Sequence, residues 1–259
     1  YYLGFILVVM YLPIIIVVIY SFNNSRISSV WGGFSLKWYR DLLRDKSMFD
    51  AVVNSLILAS LSSLSAAIIG TLAAVGMPKV NLRGKGVIEY ISTLPIMIPE
   101  IILGMVFLTY FSLIGLPFGM ITLVIAHTSF CIPYVYMLVK ARLVGIDKSL
   151  AEAAKDLGAS EVRVFFDITL PLILPAILSG MLLSFAMSLD DVVISIFVTG
   201  VNTNTLPIKI YTQLKTGVTP KINALSTLML GANLLICLLS VWIGKQGSHH
   251  KEYLEMEGN

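Results

Sequence analysis

The stretch KARLVGIDKSLAEAAKDLGASEVRVFFDITLP, residues 140–171, is amphipathic and helix-prone, and it separates two long apolar segments of the chain. Ser149, followed by Glu152 three residues later, matches a capping box and predicts the start of a helix. Gly158 suits the residue that ends such a helix, and Ser160 can cap a second, shorter one. We therefore predict a helix–glycine–helix unit in this connection.

The same connection has the composition of a docking surface for a partner. Ala153 and Ala154 give the first helix a smooth face, and Pro171 limits the second helix. Four further side chains would supply apolar contacts, namely Leu150, Leu157, Val164 and Phe165. A connection that only joined two helices would need neither feature, so we interpret it as a docking element.

The rest of the chain is strongly apolar. Of its 259 residues, 57% are hydrophobic and 13% are charged, with a mean hydropathy of +0.87, whereas soluble domains carry about 25% charged residues. A helix of about 20 apolar residues spans a bilayer. Six segments qualify: 2–22, 52–76, 91–112, 119–139, 172–198 and 225–243. We predict an all-α membrane protein with six transmembrane helices, since no soluble domain remains to bury these segments.

An even number of spans places both termini on one side of the membrane. With the N-terminus in the cytoplasm, the cytoplasmic segments carry 10 Lys and Arg residues and the outer segments carry 8, which favours this orientation by a small margin. The chain then divides into a first transmembrane helix at 1–22, an extracytoplasmic loop at 23–51, five helices within 52–243 and a cytoplasmic tail at 244–259.

The first apolar segment is predicted to stay in the mature protein. It has no basic flank and no small-residue cleavage site, so it does not resemble a cleaved signal peptide. Because the sequence does not begin with Met, we expect a short piece to precede it.

The span at 91–112 combines a helix break with an acid. Pro95 and Pro99 lie four residues apart, and Glu100 follows directly. Each proline removes a helical hydrogen bond and clashes with an earlier carbonyl group, and broken helices with polar groups at mid-depth form sites in transporters. We predict that Glu100 lines a substrate path. The alternative is a kinked packing helix whose glutamate pairs with a neighbouring donor.

Two adjacent acids, Asp190 and Asp191, lie inside the apolar run 172–198. A charge at the bilayer centre costs about 2.5–3.5 kcal/mol, and on an ideal helix the two side chains point about 100° apart. One polar stripe at helical spacing consists of Ser184, Ser188, Asp191 and Ser195. We predict that this stripe faces a water-filled substrate path. Asp190, also a candidate for that path, lies among apolar residues and is expected to need a partner or a helix break.

Other reactive residue types give no sign of a catalytic or metal site. Cys131 and Cys237 fall within predicted spans, where we interpret them as packing residues and not as a disulfide. His127 is expected to make an interhelical hydrogen bond, with a proton relay as the alternative. The sequence has no metal-ligand spacing, no P-loop for ATP, no nucleophile–base pair and, at net charge +3, no basic patch for nucleic acid.

The connection 140–171 resembles the EAA motif of ATP-binding-cassette importer permeases. The matching positions are Glu152, Ala153, Ala154, Gly158, Ile168 and Pro171. In that family the motif carries the coupling helix, which sits in a cleft of the ATPase subunit.

Nearly the whole chain is similar to spermidine/putrescine permeases of the C type, within the binding-protein-dependent transport system inner membrane component family. The stretches that carry this similarity are SFNNSR (21–26), GFSLKWYRDLL (33–43), VNSLILA (53–59), LAEAAKDLGAS (150–160), SLDDVVISIFVTG (188–200) and LPIKIY (206–211).

The resemblance implies a MetI-like importer permease fold, with residues 52–243 as the permease core. It implies a heterodimer with a paralogous permease, two ATPase subunits and an extracytoplasmic polyamine-binding protein, in a bacterial inner membrane. This chain would be neither an enzyme nor a cofactor carrier, since ATP and Mg²⁺ would belong to the ATPase subunits. Its other contacts would be the polyamine and membrane lipid.

Two alternatives stay open at this stage. One is an importer of the same type for another organic cation or an amino acid. The other is an ion-coupled secondary carrier that uses Glu100, Asp190 and Asp191 as proton sites. The EAA-like connection argues against the carrier, because a carrier needs no docking site for an ATPase.

Overall fold

The computed structural model describes residues 2–27, 30–80, 83–217 and 219–257. Its helices are α1 (Tyr2–Tyr20), α2 (Lys37–Arg44), α3 (Lys46–Gly76), α4 (Lys85–Met97), α5 (Glu100–Leu113), α6 (Met120–Val144), α7 (Lys148–Asp156), α8 (Glu161–Val164), α9 (Leu170–Asp190), α10 (Val193–Val198), α11 (Leu206–Thr216) and α12 (Pro220–Glu257). Within those residues, the only extended pairing is an isolated bridge between Asn23 and Phe34. The predicted all-α class is confirmed.

The chain is a multi-pass membrane protein. Among the described residues, four helical segments are long and apolar enough to cross a membrane: Lys46–Lys79, Met120–Val144, Glu161–Asp190 and Pro220–Trp242. Helices α4 and α5 supply a fifth crossing when they are counted as one broken span. The remaining predicted span corresponds to the shorter apolar helix Gly4–Tyr20. The structure therefore supports up to five of the six predicted spans by length and composition.

Helices α3, α6 and α9 pack together as the core of the bundle. Small residues allow their backbones to approach closely, as is usual between membrane helices. A Cβ atom on Gly70 of α3 would lie 2.9 Å from Val135 Cβ, and one on Gly180 of α9 would lie 3.2 Å from Val135 Cα. Val135 of α6 is thus held between two glycines, and larger residues at either position would push the helices apart.

The predicted break at the prolines is confirmed. Helices α4 and α5 meet at an angle of 111°. Ile98 and Pro99 are extended, with ψ of 130° and 132°, and Pro95 lies inside α4 without ending it. The bend makes Glu100 the first residue of α5, where the positive end of the helix dipole favours a carboxylate.

A second break interrupts the predicted span 172–198, at the position where a helix break is one of the two alternatives expected for Asp190. Helix α9 ends at Asp190, Asp191 is extended with ψ of 127°, and α10 begins at Val193. The side chain of Asp191 accepts hydrogen bonds from backbone N–H groups of α10 and so acts as its cap. The break is stabilised locally by the acid itself.

The connection between α6 and α9 forms the predicted helix–glycine–helix unit. Gly158, two residues after the end of α7, has φ of +84°. Ser160 Oγ accepts from the backbone N–H of Arg163 at 3.4 Å as the cap of α8. The cap of α7, however, is Asp147, whose carboxylate accepts from the N–H of Ser149 at 2.9 Å. The predicted capping role of Ser149 is therefore wrong by two residues. Asp147 is an equally good capping residue and lies immediately before Lys148, the first residue of α7.

Pro171 does not limit α8 as predicted. After Val164 the chain passes through a π-helical turn at Phe165–Thr169 and continues into α9. Pro171 lies in the first turn of α9, inside the continuous helical segment Glu161–Asp190, and does not end it. Helix α12 continues to Glu257 through most of the predicted tail 244–259, and the end residues 1, 258 and 259 lie outside the described residues. The predicted domain boundaries, including that of the cytoplasmic tail, stay predictions.

Candidate functional site

The two broken spans meet at an open cleft of about 570 Å³ between α5, α6, α9, α10 and α12. Its polar lining consists of Glu100, Asp190, Asp191, Asn233 and Cys237. Acids from two distant parts of the chain thus come together, because Glu100 and the adjacent pair Asp190 and Asp191 each lie at a helix break. We call this space the Glu100 cavity.

Glu100 is exposed at the start of α5. Within the described part of the chain, no donor group is bonded to its carboxylate. The alternative of a glutamate paired with a neighbouring helix therefore finds no partner among those residues. Its carboxylate is open to a cation that enters the cavity.

Asp191 is buried, with 9% of its surface exposed. Its Oδ2 accepts from the N–H of Ser195 at 2.8 Å, and its Oδ1 accepts from the N–H of Ile194 at 3.2 Å. Oδ2 also lies 3.4 Å from His127 Nε2 on α6. These contacts engage both carboxylate oxygens, so Asp191 contributes little open charge to the cavity.

His127 is fully buried and is the centre of a polar network. Its Nδ1 lies 2.8 Å from Ser188 Oγ, and its Nε2 lies 3.0 Å from Ser195 Oγ. Ser62 of α3 extends the network, since its Oγ lies 2.9 Å from Ser188 Oγ and donates to Leu58 O at 2.7 Å. The network joins α3, α6, α9 and α10, and the expected interhelical role of His127 is what the structure shows.

The predicted facing of the serine stripe is wrong. Ser184, Ser188 and Ser195 are buried together with Asp191, so the stripe faces the interior of the bundle and not a water-filled path. Buried polar groups require partners, and three members of the stripe find theirs in His127. Sequence spacing grouped these residues correctly but could not show that a histidine from another helix covers them.

Asp190, and not Asp191, has the open position facing a cavity that was predicted for Asp191. It is exposed at the end of α9, and no donor among the described residues is bonded to it. It lines both the Glu100 cavity and a second cavity of about 330 Å³ beside α11. Of the two alternatives expected for Asp190, a partner or a helix break, the structure shows the break, and the carboxylate faces open space.

The α6–α9 connection forms a second candidate site. The EAA-like residues Glu152, Ala153, Gly158 and Pro171 are exposed, and Ala154 and Ile168 are half-buried. Leu157 is 90% exposed and Leu150 is 48% exposed, as a docking surface requires. Val164 and Phe165 were predicted to offer apolar contacts to a partner. Val164 is instead buried within the chain, and Phe165 is half-buried.

Ion pairs and a cap fix the shape of this connection. Glu161 bridges Lys155 at 3.0 Å and Lys79, beyond the end of α3, at 3.1 Å. The backbone N–H of Ser149 lowers the pKa of the Asp147 carboxyl by hydrogen bonding to its charged form. The cap is therefore ionised at neutral pH and can accept the hydrogen bond that begins α7.

Asn233 was missed by the sequence analysis. It lies on α12, lines both cavities and has a buried side-chain oxygen without a hydrogen-bond partner among the described residues. The signal was present, since Asn233 is an amide in the middle of an apolar span, where polar residues usually have a partner or a function.

Comparisons with known proteins agree with this architecture. Residues 66–246 match the family model described as "Binding-protein-dependent transport system inner membrane component". The chain is 42% identical over 240 residues to the spermidine/putrescine transport system permease protein PotC of Haemophilus influenzae, covering 93% of each chain. It is 46% identical over 230 residues to the putrescine transport system permease protein PotI of Escherichia coli, covering 86% of this chain and 82% of that one.

Solved structures show the same fold at low sequence identity. A crystal structure of a bacterial ABC transporter that imports alginate contains a chain with a TM-score of 0.73 and 18% identity, covering 94% of this chain and 92% of that one. The methionine ABC transporter MetNI, in inward-facing conformations, gives a TM-score of 0.60 and 18% identity, covering 83% of this chain and 99% of that one. The predicted importer permease fold is confirmed.

Proposed function

Since the chain belongs to the binding-protein-dependent transport system inner membrane component family, we propose that it is a permease subunit of an ATP-driven importer for polyamines. It forms part of the translocation path and carries no catalytic site for ATP hydrolysis. The relatives named for spermidine and putrescine transport support this substrate class, because identity of 42–46% extends over most of the chain.

The observation that carries the proposal is the pair of unbonded carboxylates in one cleft. Glu100 and Asp190 both line the Glu100 cavity, and each lies at the end of a broken helix. A polyamine has several separated ammonium groups, so separated acids can bind it at more than one point. Individually weak contacts at several points favour both entry and release.

The α6–α9 connection is the proposed contact with the ATPase subunit. Its exposed Leu157 and Leu150 are suited to a cleft on a partner, and exposed ion pairs link Glu161 of the unit to Lys155 and Lys79. In this proposal ATP binding closes the ATPase dimer, which moves the two coupling helices together and opens the path outward. Hydrolysis then resets the path.

The complete importer in this proposal is a heterodimer of this chain with a paralogous permease. Two ATPase subunits bind on the cytoplasmic side, and a polyamine-binding protein delivers substrate on the other. Both termini lie in the cytoplasm of a bacterial cell. The second permease would close the open side of the Glu100 cavity, which is why this cavity is a groove in the isolated chain.

Uptake of radiolabelled spermidine tests the proposal. The chain would be expressed with its ATPase, its second permease and its binding protein in cells that lack polyamine importers. We expect ATP-dependent uptake that vanadate inhibits and that an excess of unlabelled putrescine or spermidine reduces. Omission of this chain is the matched control and should abolish uptake.

Three results would contradict the proposal in different ways. Uptake that resists vanadate but collapses with an uncoupler would indicate an ion-coupled carrier. Competition by an amino acid or another organic cation, without competition by polyamines, would keep the importer and change its substrate. Assembly without any transport of these compounds would remove the polyamine assignment altogether.

A further inference from the structure

Asn233 has an unusual environment for an amide inside a membrane span. Its side-chain oxygen is buried and makes no hydrogen bond within the described residues. An unpaired buried acceptor destabilises a folded chain, and polar side chains in spans normally bond to a neighbouring helix. Since no such neighbour satisfies Asn233, its amide is a candidate for a ligand contact.

Asn233 also lies next to an open carboxylate, as a ligand contact for a cation requires. Asn233 and Asp190 both line the Glu100 cavity, and both also line the cavity beside α11, which we call the Tyr211 cavity. Val192 and Leu230 complete the boundary that the two cavities share. A carboxylate and an amide thus lie together where one cavity passes into the other.

The two cavities differ in the chemistry of their walls. The Tyr211 cavity is mainly aliphatic, with Pro207, Ile210, Leu214 and Met229 in its lining. One face of the Tyr211 ring is already covered by the Lys215 ammonium, 4.6 Å from the ring centre. The Glu100 cavity adds a second open carboxylate. Along α12 the lining runs from Ser226 to Cys237, about 16 Å at helical rise, so the combined space is elongated.

We propose that Asn233 and Asp190 together bind one amino group of the polyamine at the junction of the two cavities. The inference rests on the proposed function and adds a neutral specificity-determining ligand to it. A protonated amine has several N–H donors in one small volume, so one can bond to the carboxylate and another to the amide oxygen. The terminal torsion of an Asn side chain has broad, two-fold preferences, which lets the oxygen turn toward the ligand.

The rest of the ligand fits the same geometry. An aliphatic segment adjacent to the bound amine can lie along the apolar wall of the Tyr211 cavity, while a second amino group extends toward Glu100. A neutral amide forms a directional hydrogen bond without adding charge. It therefore discriminates between polyamines by the distance between their amino groups more than by their total charge. Asn233 is therefore expected to set the preference between polyamines of different length.

Native Cys237 provides a direct binding assay. It lies one helical turn after Asn233, is exposed and lines the Glu100 cavity, whereas Cys131 is buried. In the assembled importer, modification of Cys237 by a cationic methanethiosulfonate reagent would be followed by mass spectrometry of its peptide. We expect spermidine to slow modification in the wild type, and Cys131 to stay unmodified.

The decisive variant is Asn233→Leu. We expect the spermidine concentration for half protection to rise about ten- to hundredfold, the usual effect of losing a hydrogen bond to a charged group. Asn233→Asp, which keeps an acceptor, should retain protection. Thr227→Val is the matched control on the same helix, because the Thr227 hydroxyl bonds to Asn223 O and is not part of either cavity lining. It should leave protection unchanged.

Protection that is equal in wild type and Asn233→Leu would overturn the inference and leave the proposed function standing. Failure of every polyamine to protect the wild type, together with absent uptake, would instead remove the proposed function. If Asn233→Leu does not assemble, Asn233→Ala carries the same comparison, with unchanged labelling in the absence of polyamine as the check on folding.

Discussion

His127 Nε2 lies 3.4 Å from Asp191 Oδ2, and this contact joins the middle of α6 to the break between α9 and α10. Both side chains are buried, and Ser188 and Ser195 occupy the remaining contacts of the imidazole ring. The preceding residue Asp190, the last residue of α9, is exposed and faces the cleft instead of the bundle interior. Two adjacent acids thereby acquire different environments.

Replacing His127 with Leu should destabilise the protein more than neutralising Asp190. The change leaves the Asp191 carboxylate and two serine hydroxyls without their partner in a buried site, which costs about 3 kcal/mol. Thermal unfolding of the purified complex in detergent measures the loss. The double variant His127→Leu with Asp191→Leu should lose less than the sum of the two single variants, because coupled residues are not additive. Strict additivity would mean that the two side chains do not depend on each other.

Asp190→Asn and Glu100→Gln should each lower polyamine uptake while the complex still assembles. Each carboxylate faces the Glu100 cavity without a bonded donor, so neutralising it removes no contact within the chain. At limiting substrate we expect about tenfold slower uptake, the effect of one lost charged hydrogen bond. Asp190→Glu, which keeps the charge, should restore part of the rate. Normal uptake in both neutral variants would exclude these acids from the substrate path.

The sequence was sufficient to locate most elements of the fold. The spans follow from length and apolar composition, the break at Pro99 follows from proline stereochemistry, and the end of α7 at Gly158 follows from the left-handed φ that glycine tolerates. Each of these features depends on residues close together in the chain. Local physics is therefore enough to predict them.

The candidate site depends on distant residues and was predicted less well. A helical projection of span 172–198 assumes a continuous helix, whereas Asp191 ends one helix, caps the next and contacts His127 of another span. The correct facing of Asp190 therefore requires knowledge of α6. The choice between Asp147 and Ser149 as a cap is likewise open in the sequence, because both residues fit the local pattern.

Leu157→Asp should release the ATPase subunit without unfolding the permease. The side chain is 90% exposed after α7, so the change removes no internal contact of the chain. A charge in an apolar docking site is costly, and we expect the ATPase to be lost when the complex is purified. Val201→Asp is the matched control, since Val201 is equally exposed at 90% but lies in the loop between α10 and α11. Retention of the ATPase by Leu157→Asp would contradict the docking role.

Gly104→Ala should disturb the contact between the two broken spans. A Cβ atom on Gly104 of α5 would clash with the Phe197 ring of α10, and overpacking of this kind costs about 1–3 kcal/mol. The thermal midpoint of Gly104→Ala should therefore fall. In a chain that already carries Phe197→Ala, the ring is gone, so adding Gly104→Ala should lower the midpoint by less than it does in the wild type. Gly86→Ala is the control, because no atom lies within 4 Å of its Cβ position. An unchanged midpoint in Gly104→Ala would show that the ring moves aside freely.

We predict that Asp45 makes the stability of the protein depend on pH in the acid range. Its carboxylate accepts from the N–H of Met48 as the cap of α3 and forms an ion pair with Lys221 of α12. The hydrogen bond from Lys221 holds the pKa of this carboxyl below its usual value of 3.8, against the opposing effect of burial. A depressed folded-state pKa means that the stabilisation is complete above about pH 5 and is lost as the pH falls through the unfolded and then the folded value.

Two substitutions separate the cap from the ion pair. Asp45→Asn keeps a side-chain acceptor for the cap but removes the charge, so the thermal midpoint should fall slightly at pH 7 and become less sensitive to acid. Asp45→Ala removes both contacts and should cost about 1 kcal/mol more, the typical value of a helix cap. Thermal unfolding between pH 3 and pH 7 compares the variants with wild type. If Asp45→Asn and wild type lose stability in parallel as the pH falls, the acid dependence arises elsewhere and Asp45 acts only as a cap.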